Sequence, residues 1–151
     1  MMNNEMIIPV ALRTIELEAE SIGDLKAFIN TDFVKAVETI AVCKGRLVVS
    51  GIGKSAVIAQ KIVATLNSTG TPAVFMHAAD AIHGDIGMLQ QEDIVMLLSK
   101  SDARPEITVI TPFVKNYRNQ LIGIVSNIQS FLKPPSHIGF TSNVTTTYLP
   151  H

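Results

Sequence analysis

Four short apolar runs, Leu47 to Ser50, Ala73 to Met76, Ile94 to Leu98 and Leu121 to Ser126, constrain this chain more than any other feature. None of them alternates apolar with polar residues, and a strand that shows one face to water would do so. Continuous runs of this kind suit strands covered on both faces, which is the condition of a parallel sheet. The segments between them carry helical patterns: Ser55 to Asn67, stopped near Gly70, and Pro105 to Asn116, where Pro105 suits a first helical turn. Strand and helix in alternation predict a three-layer α/β sandwich around a mainly parallel sheet, with right-handed crossovers.

Two helical patterns precede the first strand. Apolar residues at Leu12, Ile15, Ala19, Ile22, Leu25 and Ile29 share one face of an amphipathic helix. Thr31 and Asp32 then read as a cap for a second helix through Phe33, Val37, Ile40 and Ala41, closed by a turn at Lys44 and Gly45. After Leu132 the character changes: KPPSHIGFTSNVTTTYLPH has paired prolines, no acid and no helical period, and at most a short strand from His137 to Phe140. We therefore divide the chain into a domain over 1–132 and an atypical tail over 133–151.

The 151 residues are 47% apolar and 17% charged, enough to bury a core and too apolar for a disordered chain. A net charge of −1 supplies no field for nucleic acid, and no apolar run reaches the roughly 20 residues of a membrane span. The single cysteine, Cys43, has no internal partner, which fits a reducing, cytoplasmic setting and a small buried hydrophobe.

Three clusters follow successive strands, where open α/β sheets bind their ligands. The first is Gly51-Ile52-Gly53-Lys54-Ser55-Ala56, a strand-to-helix turn whose free N–H groups favour an anion. A nucleoside-triphosphate loop would need glycine where Val48 stands. A dinucleotide fold would want an acid after Phe75-Met76, where the chain has His77. A glycine turn without a ligand is the remaining alternative. The second cluster runs from His77 to Gly87; its histidines, His77 and His83, are six residues apart, unlike metal ligands on one helix face, so no metal is expected. His83, beside Gly84, is its better candidate. The third, Ser99-Lys100-Ser101-Asp102-Ala103-Arg104-Pro105-Glu106, offers hydroxyls, an arginine and a helix start to a phosphate monoester, and reads equally as an ordinary serine cap. Convergence of the three favours a phosphorylated small molecule.

The segments GIGKSA, STGTPAVFMHAADAIHGDIGM and SKSDARPEI resemble, in order and spacing, the sugar-isomerase (SIS) domain of the arabinose-5-phosphate isomerases, capsule-associated members included, over about Ile15 to Leu132. The resemblance implies a five-stranded flavodoxin-like sheet, here with its C-terminal part incomplete. It further implies assembly into homotetramers or dimers, no cofactor, and interconversion of D-ribulose 5-phosphate with D-arabinose 5-phosphate for Kdo or capsule synthesis. Lys54 matches the family's active-site lysine, His83 its HGD histidine and Glu106 the glutamate after the serine loop. Ser55, Ser99 and Ser101 match hydroxyls that surround the sugar or phosphate in the family; Gly51, Gly53 and Arg104, the last at a position the family often gives to a hydroxyl residue, complete the expected phosphate-binding set. The chemistry asks for these types: an enediolate route needs a base (Glu106), a cation for the oxyanion (Lys54) and a group for ring opening (His83). Two family glycines are replaced, by Ala56 and Asp102. With later family segments unmatched after Leu132, we expect impaired catalysis; a non-catalytic sugar-phosphate-binding SIS domain is the alternative.

Overall fold

The computed structural model describes residues 4–100, 105–125 and 138–141. Its centre is a five-stranded sheet of β1 (Leu47–Gly51), β2 (Ala73–His77), β3 (Ile94–Ser99), β4 (Gln120–Val125) and β5 (Ile138–Thr141), in the order β2-β1-β3-β4-β5. Every neighbouring pair is parallel. This is the flavodoxin-type strand order that the resemblance implied. The short strand anticipated over His137 to Phe140 is β5, one residue later, and it pairs with β4 from Ile122↔Ile138 onward.

The continuous apolar runs are explained by two cores. Alternate residues of β1, β3 and β4, among them Leu47, Val49, Ile94, Met96 and Ile122, pack with Ala36 of α2 (Thr31–Ala41) and Ala59 of α3 (Lys54–Ser68). The intervening residues, Val48, Val95, Leu97 and Leu121, pack with Ala78 and Ala81 of α4 (Ala78–Ile82) and Ile110 and Val114 of α5 (Pro105–Asn116). The chain leaving β1 therefore goes to one face and the chain leaving β3 goes to the other. Because β1 and β3 are neighbours, a crevice opens between their carboxyl ends, the switch point where such sheets take ligands.

The first helix differs from its expected span. α1 covers Asn4–Asp24 and carries Pro9 within it, while Leu25–Phe28 tightens into a 3-10 turn beyond Gly23 and Asp24. Its apolar stripe is unpartnered within the described chain: Leu12, Ile15 and Ile22 are all exposed. The cap of α2 is Asn30 rather than Thr31 or Asp32, its side-chain oxygen accepting from the N–H groups of Asp32 at 2.9 Å and Phe33 at 3.2 Å. α2 packs against β5, so the last strand has a helix against it. That helix comes from the other end of the chain, beyond the reach of local pattern.

The amino edge of the sheet is tied by a buried carboxylate. Asp93, whose side chain is fully buried, accepts from Arg46 Nη2 at 2.6 Å and Nε at 3.3 Å, and from the backbone N–H groups of Arg46 at 2.8 Å and Gln90 at 3.0 Å. Burial pushes its carboxyl up, but the bonds from Arg46 and Gln90 together hold it below the usual carboxylate range. Asn119 extends the network, donating through Nδ2 to the carbonyls of Gln90 and Asp93. Loops at this edge are thereby fixed at the end of the sheet away from the crevice.

Candidate functional site

The crevice begins at Gly51, the last residue of β1. A β-carbon there would lie 2.9 Å from the carbonyl carbon and oxygen of Ser55, so glycine lets the first turn of α3 close directly onto the strand end. Gly53 then takes φ +59°, a conformation open to glycine and rare for other residues, and starts α3. The N-cap residue, Gly53, has no side chain to cap this helix, so the first N–H groups of α3 and its dipole lie at the crevice mouth. Lys54 is exposed in the first turn, and Ser55 beside it is half-buried. Ala56, one of the two departures from the family pattern, is buried, and its N–H bonds to the Gly53 carbonyl at 3.1 Å. The added methyl therefore faces the core and leaves the loop mouth clear.

Strand pairing brings the second and third clusters to the same edge. Gly51 is the register partner of His77 on one side and of Leu98 on the other, so the residues after β1, β2 and β3 emerge side by side. His83 ends α4 as its C-terminal cap, exposed and followed by Gly84 at φ +137°. Ser99 is the last residue of β3 and is buried. Glu106 is the second residue of α5, which starts close after β3. Ser101 and Arg104, with the departure Asp102, lie outside the described residues, as does the side chain of Glu106. Among the described residues no hydrogen bond or ion pair joins Lys54 to His83.

One residue at this edge was passed over in the sequence. His77 closes β2 and opens α4, with Nδ1 buried and, among the described residues, without a hydrogen-bond partner. A carboxylate oxygen, Asp80 Oδ2, is 3.7 Å from that atom, and the ring stands edge-on to Phe75 at 6.2 Å between centroids. The signal was the His-x-x-Asp spacing at a strand-to-helix junction, which sequence alone does not separate from a solvated loop histidine. Cys43, by contrast, lies at the opposite edge, where it helps line a cavity of about 230 Å³ with Leu47 and Thr71. No three His, Cys, Asp or Glu side chains among the described residues are grouped to hold a metal ion. No described helix is long and apolar enough to cross a membrane.

Fold and edge together define a doubly wound α/β domain with an anion-ready crevice at its switch point. The model of the SIS domain family matches residues 40–149, and the chain belongs to that family. The match continues past Leu132 into the tail. Among curated proteins the chain is 42% identical to arabinose 5-phosphate isomerase KdsD of Pseudomonas aeruginosa, over 95% of this chain and 44% of that protein. It is 37% identical to arabinose 5-phosphate isomerase GutQ of Escherichia coli K12, over 92% of this chain and 41% of that protein. The chain thus spans less than half the length of these curated relatives. Of solved structures, an Escherichia coli CFT073 protein in complex with arabinose 5-phosphate superposes with a TM-score of 0.80 at 31% identity, covering 93% of this chain and 77% of that one. A Listeria monocytogenes protein assigned to the sugar-phosphate isomerases gives a TM-score of 0.89 at 36% identity, covering 97% and 77%.

Proposed function

We propose that this chain acts as a phosphosugar aldose-ketose isomerase, interconverting D-ribulose 5-phosphate and D-arabinose 5-phosphate for Kdo or capsule synthesis in the cytoplasm. The observation that carries the reading is the meeting of the Gly51-Gly53 turn, the His77-to-His83 segment and the end of β3 at one switch-point edge. Relatives that share 37–42% of the sequence are named for this reaction, and a similar solved structure holds arabinose 5-phosphate.

The roles follow from the chemistry. Isomerisation takes a proton from the carbon beside a carbonyl, passes through an enediolate and returns a proton to the neighbouring carbon. In this reading Glu106 carries that proton, Lys54 stabilises the oxyanion, and His83 moves the hydroxyl proton that opens the sugar ring. The uncapped start of α3 with Gly51, Gly53 and Ser55, together with Ser99, Ser101 and Arg104, anchors the phosphate.

We also propose that copies associate into a dimer or tetramer through α1. Its exposed stripe of Leu12, Ile15 and Ile22 is the kind of contiguous apolar surface that monomers seldom leave uncovered.

A coupled interconversion assay run beside a ligand-dependent melting experiment tests the main reading. Turnover with stabilisation by arabinose 5-phosphate is the expected result. Stabilisation without turnover assigns the chain to non-catalytic sugar-phosphate binding. Absence of both removes the phosphosugar reading.

A further inference from the structure

We propose that the side chain of Asn67 closes the outer edge of β2, standing in for a neighbouring strand and so preventing a second copy of this chain from adding to the sheet there. This role is independent of any ligand at the crevice.

The edge needs closing. β2 is an outermost strand of the five-stranded order and pairs with β1 on one side only. The unpaired N–H and carbonyl groups of such a strand are a template for another chain. β2 itself reads Ala-Val-Phe-Met-His, with a β-branched and an aromatic residue and no Asp, Glu, Lys or Arg. Uncharged segments of high β propensity are the ones that recruit copies of themselves.

The backbone shows which groups face outward. Leu47 N–H donates to the Pro72 carbonyl at 2.9 Å, so Pro72 faces β1, as do Val74 and Met76 by alternation. Ala73, Phe75 and His77 therefore turn their peptide groups to the open edge. Asn67 takes both groups of Ala73: Oδ1 accepts from its N–H at 2.8 Å, and Nδ2 donates to its carbonyl at 3.0 Å. These are the two bonds a neighbouring strand would make. At the other end His77 is the N-cap of α4, a position whose carbonyl is taken by the helix. Among the described residues Phe75 alone is left with both groups for a new strand. One paired residue is too short to hold it.

Local structure brings the amide to this place. Asn67 lies in the last turn of α3; Gly70, at φ +90°, turns the chain, and Thr71 N–H bonds back to the Leu66 carbonyl at 2.9 Å. Six residues after Asn67 the chain returns beside it as Ala73. Asparagine suits the task because its amide carries an acceptor and donors together, whereas aspartate has no donor when ionised. Asn67 is exposed, so its contribution lies in these two bonds and not in core packing.

Hydrogen exchange and light scattering on the whole chain test the role. In the wild type the Ala73 amide is expected to exchange more slowly than that of Phe75, and in N67A about five- to tenfold faster than in the wild type, the loss of one net hydrogen bond. N67A is further expected to gain mass with time, the Phe75 amide becoming protected while β1 and β3 keep their protection. N67D separates an open edge from a weakened fold: it loses the bond to the Ala73 carbonyl but sets a charge on the edge, and should keep the wild-type mass. Wild-type mass in N67A overturns the proposal. Equal association of N67A and N67D with protection lost across β1 and β3 overturns it too, since Asn67 would then serve stability alone. A wild-type Ala73 amide that exchanges as fast as that of Phe75 overturns it without any substitution.

Discussion

Gly51 and the carbonyl of Ser55 stand so close that a single added β-carbon would sit 2.9 Å from the backbone. Backbone cannot move aside as a flexible side-chain tip can, so G51A must push the start of α3 away from the strand. We expect a loss of about 1–3 kcal/mol of stability, the usual cost of overpacking, and a larger proportional loss of phosphosugar affinity. Denaturant unfolding and calorimetry on the same variant check both.

Asp93 offers a stability test far from the crevice. D93A removes the acceptor of Arg46 and of two backbone N–H groups, and should cost about 3 kcal/mol, moderated because Arg46 is 31% exposed. The pH dependence has a fixed sign. A carboxyl held below its unfolded value contributes stability that is complete above the ordinary carboxylate range and is lost as pH falls through the folded value. Urea unfolding below the ordinary carboxylate range should therefore show stability falling more steeply in the wild type than in D93N.

Assembly through α1 predicts that replacing Ile15 and Ile22 together by glutamate lowers the mass seen by light scattering at micromolar concentration. The fold of each copy should be little changed, because these side chains are 63% and 67% exposed within the chain. An unaltered mass would place the interface elsewhere.

Substitutions at the proposed catalytic groups should separate chemistry from binding. K54A and E106Q are expected to lower kcat by at least about a hundredfold while arabinose 5-phosphate still raises the melting temperature. Wild-type turnover in E106Q would remove Glu106 as the proton carrier.

Much of the architecture could be read from local pattern. Runs without alternation demanded a sheet covered on both faces, and β1 to β4 fall on the expected runs with ends shifted by about one residue. Those ends are set by pairing, as at Gly51↔His77, which no single segment reveals. Long-range placement was equally hidden: α2 against β5, and Arg46 against Asp93, join segments distant in sequence. At the crevice, the glycine turn was legible because its residue types are physically required. His77 was not, since its interest lies in a buried nitrogen and a nearby carboxylate that only the folded chain brings together.

The central claim is proton transfer on a pentose phosphate at the edge formed by Gly51, His83 and Ser99. Proton NMR of ribulose 5-phosphate incubated with the protein in deuterated water measures it most directly. The expected result is arabinose 5-phosphate carrying deuterium at C2, with the signal abolished in E106Q. Ribulose 5-phosphate that neither converts nor takes up deuterium, in the presence of folded protein at stoichiometric concentration, would contradict it.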